Sequence, residues 1–246
     1  MYTKAEFEEL NRKLAKEMAA NAELRQKIRE VVVAADRYNW MHQTRWMGET
    51  SINPPEDLFA FQEIIYQTRP KFLIECGVAW AGTLLLYASL LEAFDIDGHI
   101  IGIDIYIPDD LKERIRAKGR LADKITLING STLDPDVVAQ VRRLTGDSTE
   151  TFVHLDSNHE HDHVLQELEI YSEMVGKGHY LICGDTFVED MPEIVVNRPR
   201  PWGKGNNPKT AVREFLKRTS RFEVDEGFEQ KMLFTCNPQG FLRCIV

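Results

Sequence analysis

The sequence predicts an α/β fold, with a mostly parallel, doubly wound sheet that ends in an antiparallel hairpin and carries an N-terminal helical extension. Three observations predict it. Five short apolar runs stop at polar residues, Glu75, Asp104, Asn129, Asp156 and Asp185, and the first four lead into helical stretches. The steps between those ends, 29, 25, 27 and 29 residues, are the length of one strand-helix unit. The runs are apolar at nearly every position, as strands covered by helices on both faces are.

Residues 4 to 35 place Phe7, Leu10, Leu14, Met18, Leu24, Ile28 and Val31 or Val32 at three- and four-residue steps among Lys, Glu and Arg. That period predicts one helix or two, within an extension of residues 1–37. Its apolar stripe packs on the main domain or on a second subunit, and both stay open. Over 38–55 the period stops and Trp40, Trp46, Gly48, Pro54 and Pro55 appear, an aromatic-rich loop in a segment of residues 38–69 that ends in a helix. The main domain is 70–246. Its helices are expected at 82–93, 109–119, 134–144 and 161–175, the third opened by Asp134-Pro135, a cap followed by proline at the first helical position. Asn197 to Pro208 is rich in Pro and Gly and therefore irregular, and a helix resumes near Pro208. Lys231 to Cys236 and Phe241 to Val246 flank Asn237-Pro238-Gln239-Gly240, the expected closing hairpin. A parallel sheet with such an ending is the plan of the Rossmann-like class I methyltransferases.

Composition narrows the function. The chain has 246 residues, is 43% hydrophobic and has a net charge of −9, which excludes a disordered chain and a partner held mainly through phosphate neutralisation, so no nucleic acid is expected. The longest uncharged stretch, Cys76 to Leu91, is interrupted by Gly77 and Gly82 and is too short to span a membrane. No apolar secretory region follows Met1, and Cys76, Cys183, Cys236 and Cys244 form no CxxC pair, so a cytoplasmic location with reduced thiols is expected.

Ligands of open parallel sheets bind beyond the carboxyl ends of the strands, so the five polar strand ends should share one rim. The first turn, Glu75-Cys76-Gly77-Val78-Ala79-Trp80-Ala81-Gly82-Thr83, offers small residues and a helix N-terminus to a ligand, without the spacing of a dinucleotide site. Asp104 stands where a carboxylate commonly accepts from ribose hydroxyls, or caps a helix. Gly130-Ser131 after the third strand either meets a nucleobase or makes a plain turn. Asp156 and Asp185 together form an oxygen-rich pair suited to Mg²⁺, or serve as a cap and a turn. His159 and His163 are four apart, and a zinc reading of them lacks a third ligand.

Several strings then carry a resemblance. Trp46-Met47-Gly48 with Pro54-Pro55-Glu56-Asp57-Leu58, Ile74 to Ala79, Leu155 to His159 with His163 to Leu168, and Arg200 to Val212 are similar to the rhamnosyl O-methyltransferase and cephalosporin hydroxylase family over roughly residues 40 to 246. The resemblance implies S-adenosylmethionine in the first turn, a divalent metal, usually Mg²⁺, and methylation of a hydroxyl on a sugar or other natural-product scaffold such as a polyketide or antibiotic. It also implies a homo-oligomer. Carried over by position, Glu75, Gly77, Ala79, Gly82 and Thr83 flank the methionine part of the cofactor, Asp104 its ribose, and Ser131 the adenine. Asp156, beside the cofactor, and Asp185 hold the metal. Asp156 or His159 takes the proton, with His159 close to the acceptor oxygen. Apart from the resemblance, Trp40, Trp46 and Trp202, on two irregular segments, either form an acceptor platform or lid or anchor those loops to the core, and His163 is a further candidate acceptor residue. Two departures stand out: Gly184 where the family usually has an acidic residue, and Ala81-Gly82 in place of a glycine pair. Two other readings accompany this one. The first is an oxygenase with iron on Asp156, His159 and His163. The second is a cofactor-binding partner protein without transfer activity.

Overall fold

The computed structural model describes residues 2–191 and 200–246, so residues 197–199 of the Pro- and Gly-rich segment lie outside the described residues. Asn21 divides the N-terminal stretch into two helices, α1 (Lys4–Ala20) and α2 (Ala22–Asp36), because its side chain accepts from the Leu24 N–H and starts the second. Helix α1 begins with a capping box between Thr3 and Glu6. The aromatic stretch has more structure than the loop expected there. It contains a 3-10 turn at Trp40–Gln43 and a small hairpin, β1 (Arg45–Trp46) and β2 (Glu49–Thr50), which reverses at Met47 and Gly48, both at positive φ.

The main domain then runs α3 (Pro55–Thr68), β3 (Phe72–Cys76), α4 (Gly82–Ala93), β4 (His99–Asp104), α5 (Asp109–Arg116), β5 (Ile125–Asn129), α6 (Pro135–Thr145), β6 (Thr151–Leu155), α7 (His161–Ser172) and β7 (Tyr180–Cys183). It closes with α8 (Pro208–Arg218), β8 (Phe222–Val224), α9 (Glu226–Lys231) and β9 (Phe241–Cys244). The strands lie in the order β5-β4-β3-β6-β7-β9-β8, parallel through the first five, with β9 antiparallel to both neighbours. This is a Rossmann-like class I methyltransferase sheet. Pairing of Cys76 with Ile103 and Leu155, and of Leu155 with Cys183, brings four strand ends level. The order reverses at β3, so the crevice between β3 and β6 is the switch point where ligands bind.

One face of the sheet packs against α3, α4 and α9 through Phe61, Ile64, Leu84, Leu91, Phe152 and Phe228, and the other against α6, α7 and α8 through Val141, Leu168, Tyr171, Val212 and Phe215. Helix α4 is buried almost throughout, which explains its unbroken apolar sequence from Leu84 to Leu86. Helices α5 and α7 stop three residues earlier than expected, at Arg116 and Ser172.

The closing hairpin differs from expectation. β9 pairs with β8, in the register Phe222 to Cys244 and Val224 to Leu242, and Lys231 to Cys236 is not a strand. The reason is chemical: the Cys236 N–H donates to the buried Asp57 carboxylate and so is not available to a sheet ladder, and the Thr235 hydroxyl donates to the same group and holds the segment there. No helix among the described residues is long and apolar enough to cross a membrane.

Candidate functional site

The first turn owes its shape to close backbone contact. Gly77 sits at φ +100 with its amide on the Ile103 carbonyl, and a Cβ there would lie 2.1 Å from the carbonyl oxygen of Asp156. Only glycine lets the turn rest on the end of β6 in this way. Ala79 and Ala81 follow in the left-handed region, and Gly82 opens α4 under the Thr50 carbonyl of β2. The small hairpin is thus the roof of the turn. It is tied down by the Ser51 and Thr83 hydroxyls, 3.0 Å apart, and by Glu49, which pairs with Arg114 and Lys118.

Asp104 staples the turn to β4. One carboxylate oxygen accepts from the Val78 and Ala79 N–H groups at 2.8 and 3.0 Å, the other from Tyr106 at 3.0 Å, and the half-buried group keeps further lone pairs for a ligand. Around it Trp80, Ile105 and Tyr106 are 53%, 77% and 72% exposed, an apolar rim that the sequence reading passed over because it followed only polar strand ends.

Glu75 lies beneath this floor, almost fully buried. Its Oε1 is 3.2 Å from His154 Nδ1, which also meets the Tyr87 hydroxyl at 3.2 Å, while Glu75 Oε2 and His154 Nε2 have no hydrogen-bond partner within 3.5 Å among the described residues. Burial raises the Glu75 carboxyl pKa above its usual range, and the His154 bond opposes the rise. A histidine inside an apolar strand was the one sign of this pair in the sequence. Ser131 starts the turn into α6, its hydroxyl accepting from Leu133 and its carbonyl from Asp134.

At the ends of β6 and β7 the chain collects a second set of groups. Ligand atoms of Asp156, His159 and Asp185 all lie within 4.8 Å of one another, with His159 Nε2 3.2 Å from Asp185 Oδ2. Asp185 adopts φ 54, a left-handed conformation uncommon outside glycine. Burial pushes the Asp156 carboxyl well above the carboxylate range, and the negative charges of Asp185, Glu75, Glu167 and Asp57 push it further. Concentrated negative charge of that kind is relieved by a divalent cation, so the donor set of two carboxylates and an imidazole fits one. A Cβ on Gly184 would lie 2.9 Å from Asp156 Oδ1, so the carboxylate of Asp156 rests where a side chain at 184 would start. Trp202 packs edge-on against His159 at 4.9 Å, with the Arg200 guanidinium over its ring, and the loop carrying it is held by Glu189, which accepts from Gly205 and Asn207.

Two expected acceptor residues are held elsewhere. His163 Nε2 lies 3.2 Å from the Thr132 hydroxyl and 3.3 Å from the fully buried Glu167, beside Ser157. Helix α7 begins only at His161, so His159 precedes it and the two histidines do not share a helix face. The two-histidine zinc reading still lacks a third ligand, and among the described residues the metal-capable group has Asp185 where the iron reading has His163. Trp46 gives its indole N–H to Ser89 of α4 at 3.0 Å.

The same architecture occurs in known proteins. The family described as rhamnosyl O-methyltransferase/CmcI matches residues 38–245. The rhamnosyl O-methyltransferase of Mycobacterium tuberculosis strain H37Rv is 23% identical over 218 residues, covering 85% of this chain and 84% of that one. The one from Mycobacterium leprae is 26% identical, with 85% and 90% covered. A CmcI structure described with Mg and SAM superposes with a TM-score of 0.58 at 18% identity, covering 83% of this chain and 78% of the other. With more than four-fifths of its length matched in order, this chain belongs to the rhamnosyl O-methyltransferase/CmcI family.

Proposed function

We propose that the protein transfers the methyl group of S-adenosylmethionine to a hydroxyl of a sugar or other natural-product scaffold, with Mg²⁺ held by Asp156 and Asp185. Family membership makes the chain an S-adenosylmethionine-dependent O-methyltransferase. The observation that carries the metal-assisted reading is the convergence of Asp156, His159 and Asp185 beside the first turn, with Gly77 seated on Asp156.

When bound, Mg²⁺ supplies charge stabilisation for an oxygen losing its proton, and S-adenosylmethionine supplies an electrophilic methyl group. The chain's own residues do the rest. Glu75, Gly77, Ala79, Gly82 and Thr83 shape the methionine end, Asp104 the ribose end and Ser131 the adenine end, while Trp80, Ile105 and Tyr106 shield the cofactor from water. His159 accepts the hydroxyl proton on its imidazole, and the Asp185 carboxylate, 3.2 Å from Nε2, stabilises the cation it becomes. Trp202 packs against the His159 ring and fixes it beside a sugar or polyketide acceptor. Trp46 and His163 have no part in this assignment, being bonded to Ser89 and to Thr132 with Glu167. The exposed Phe7, Leu14 and Val31 on α1 and α2 support a homo-oligomer, and four unpaired buried cysteines support a cytoplasmic enzyme.

Isothermal titration calorimetry with S-adenosylmethionine and S-adenosylhomocysteine, each with and without Mg²⁺, tests the proposal. Micromolar binding of both, with a metal heat lost in Asp156→Asn, is expected. A folded protein that binds neither cofactor overturns it, and full methyl transfer in the presence of a chelator removes the metal.

A further inference from the structure

Asp57 lies in the first turn of α3, far in sequence from the rim, and is fully buried. Its two oxygens are both used, one by the Thr235 hydroxyl and the other by the Cys236 N–H at 2.9 Å. The Thr235 oxygen in turn accepts from the Asn237 N–H at 2.9 Å, and the Asn237 side-chain oxygen accepts from the Asp185 N–H at 3.2 Å. Two more bonds join the same turn to the residues after Asp185: Phe187 N–H to the Cys236 carbonyl at 3.0 Å, and the Thr186 hydroxyl to the Pro238 carbonyl at 2.8 Å. Thr186, Thr235 and Asn237 are all buried, so water does not compete for these bonds.

The chain of contacts ends on the residue that most needs it. Asp185 sits at φ 54 and ψ 24, a conformation that an L residue with a Cβ keeps only where its surroundings over-determine it. Relaxed to an ordinary backbone angle, its carboxylate would leave Asp156 and His159.

We infer that Asp57 is a positioning residue for Asp185, acting through Thr235 and Asn237 to hold that carboxylate in the geometry that binds the cation. The inference rests on the proposed metal role of Asp185. Asp57 touches neither cofactor nor acceptor in this scheme; it sets the affinity of the metal site through the backbone.

The test is calorimetric titration of Mg²⁺ into the full-length protein saturated with S-adenosylhomocysteine. Thr235→Val keeps the shape of the side chain and removes the hydroxyl that joins Asp57 to Asn237. It should weaken Mg²⁺ binding about tenfold. Asn237→Ala, which removes the acceptor for the Asp185 N–H, should do the same, and Thr235→Ser should bind as wild type does. S-adenosylhomocysteine affinity without metal should stay within twofold in all three, a split that general loosening of the fold would not produce. Unchanged Mg²⁺ affinity in Thr235→Val or in Asn237→Ala overturns the positioning role while leaving the metal site standing. Wild-type protein that binds S-adenosylhomocysteine but no Mg²⁺ overturns the role together with the metal reading beneath it.

Discussion

The two halves of the rim are built by different means. At β3 and β4 the turn is stapled from 25 and 26 positions away, Asp104 accepting from Ala79 and Val78, with longer contacts only where Gly77 meets Asp156 and Gly82 meets the small hairpin. At β6 and β7 the central group is held from much further away: the Asn237 side chain accepts from the Asp185 N–H across 52 positions, and Thr235 of the same turn is bonded to Asp57 across 178. A locally encoded half is robust to changes elsewhere. A half assembled at long range is adjustable from many positions.

Substitutions that separate the halves sharpen this contrast. The largest effect should come from Gly77→Ala, since Gly77 belongs to both: with a Cβ 2.1 Å from a backbone oxygen and φ at +100, we expect a loss of more than about 3 kcal/mol in stability and no measurable cofactor binding. Thermal unfolding and calorimetry with S-adenosylhomocysteine would show it, and wild-type affinity would break the close-contact account of the turn. Next, Asp185→Asn should lower kcat about a thousandfold, roughly 4 kcal/mol, while metal-free cofactor affinity moves less than twofold. Equal losses in both would mean that the halves are one unit.

The third prediction concerns pH. Burial raises the Asp57 carboxyl to about 7, against the bonds from Thr235 and Cys236, with the charges of Glu56 and Asp185 adding to the rise. Because the folded state then holds a proton that the unfolded state releases near pH 4, stability should fall as pH rises from about 4 to 7 and level off above. Comparing wild type with Asp57→Asn in chelator by denaturant unfolding isolates this contribution from those of Asp156 and Glu75. Their difference should shrink by about 3 kcal/mol across that window. A constant difference would show that Asp57 is ionised throughout. The smallest effect is expected on the local side, where Asp104→Asn should weaken S-adenosylhomocysteine about tenfold, roughly 1.4 kcal/mol, and leave Mg²⁺ affinity alone.

What the sequence disclosed follows the same division. The strand ends, the helix opened by Asp134-Pro135 and the first turn were legible because periodicity and caps are local properties. The pairing of Asp156 with Asp185 was accessible from strand spacing alone, since parallel strands bring their ends level. The role of Lys231 to Cys236 was hidden, because its apolar pattern suits a strand and only the distant Asp57 shows that its donors are taken. The partners of Trp46 and His163 were hidden for a similar reason: aromatic and titratable side chains suggest a site, but only the fold shows that Ser89 on α4 and the buried Glu167 hold them.

The dependence of Asp185 on the turn at 235–237 also orders events during synthesis. Strands β3 to β6 and the first turn leave the ribosome long before the residues that fix Asp185, and Thr235 follows Asp57 by 178 positions. A nascent chain that already contains Gly77 and Asp104 still lacks the prop for the Asp185 backbone. Because β9, with the buried Phe241 and Leu242, also follows that turn, the rim at β6 and β7 is among the last parts of the fold the polypeptide can complete.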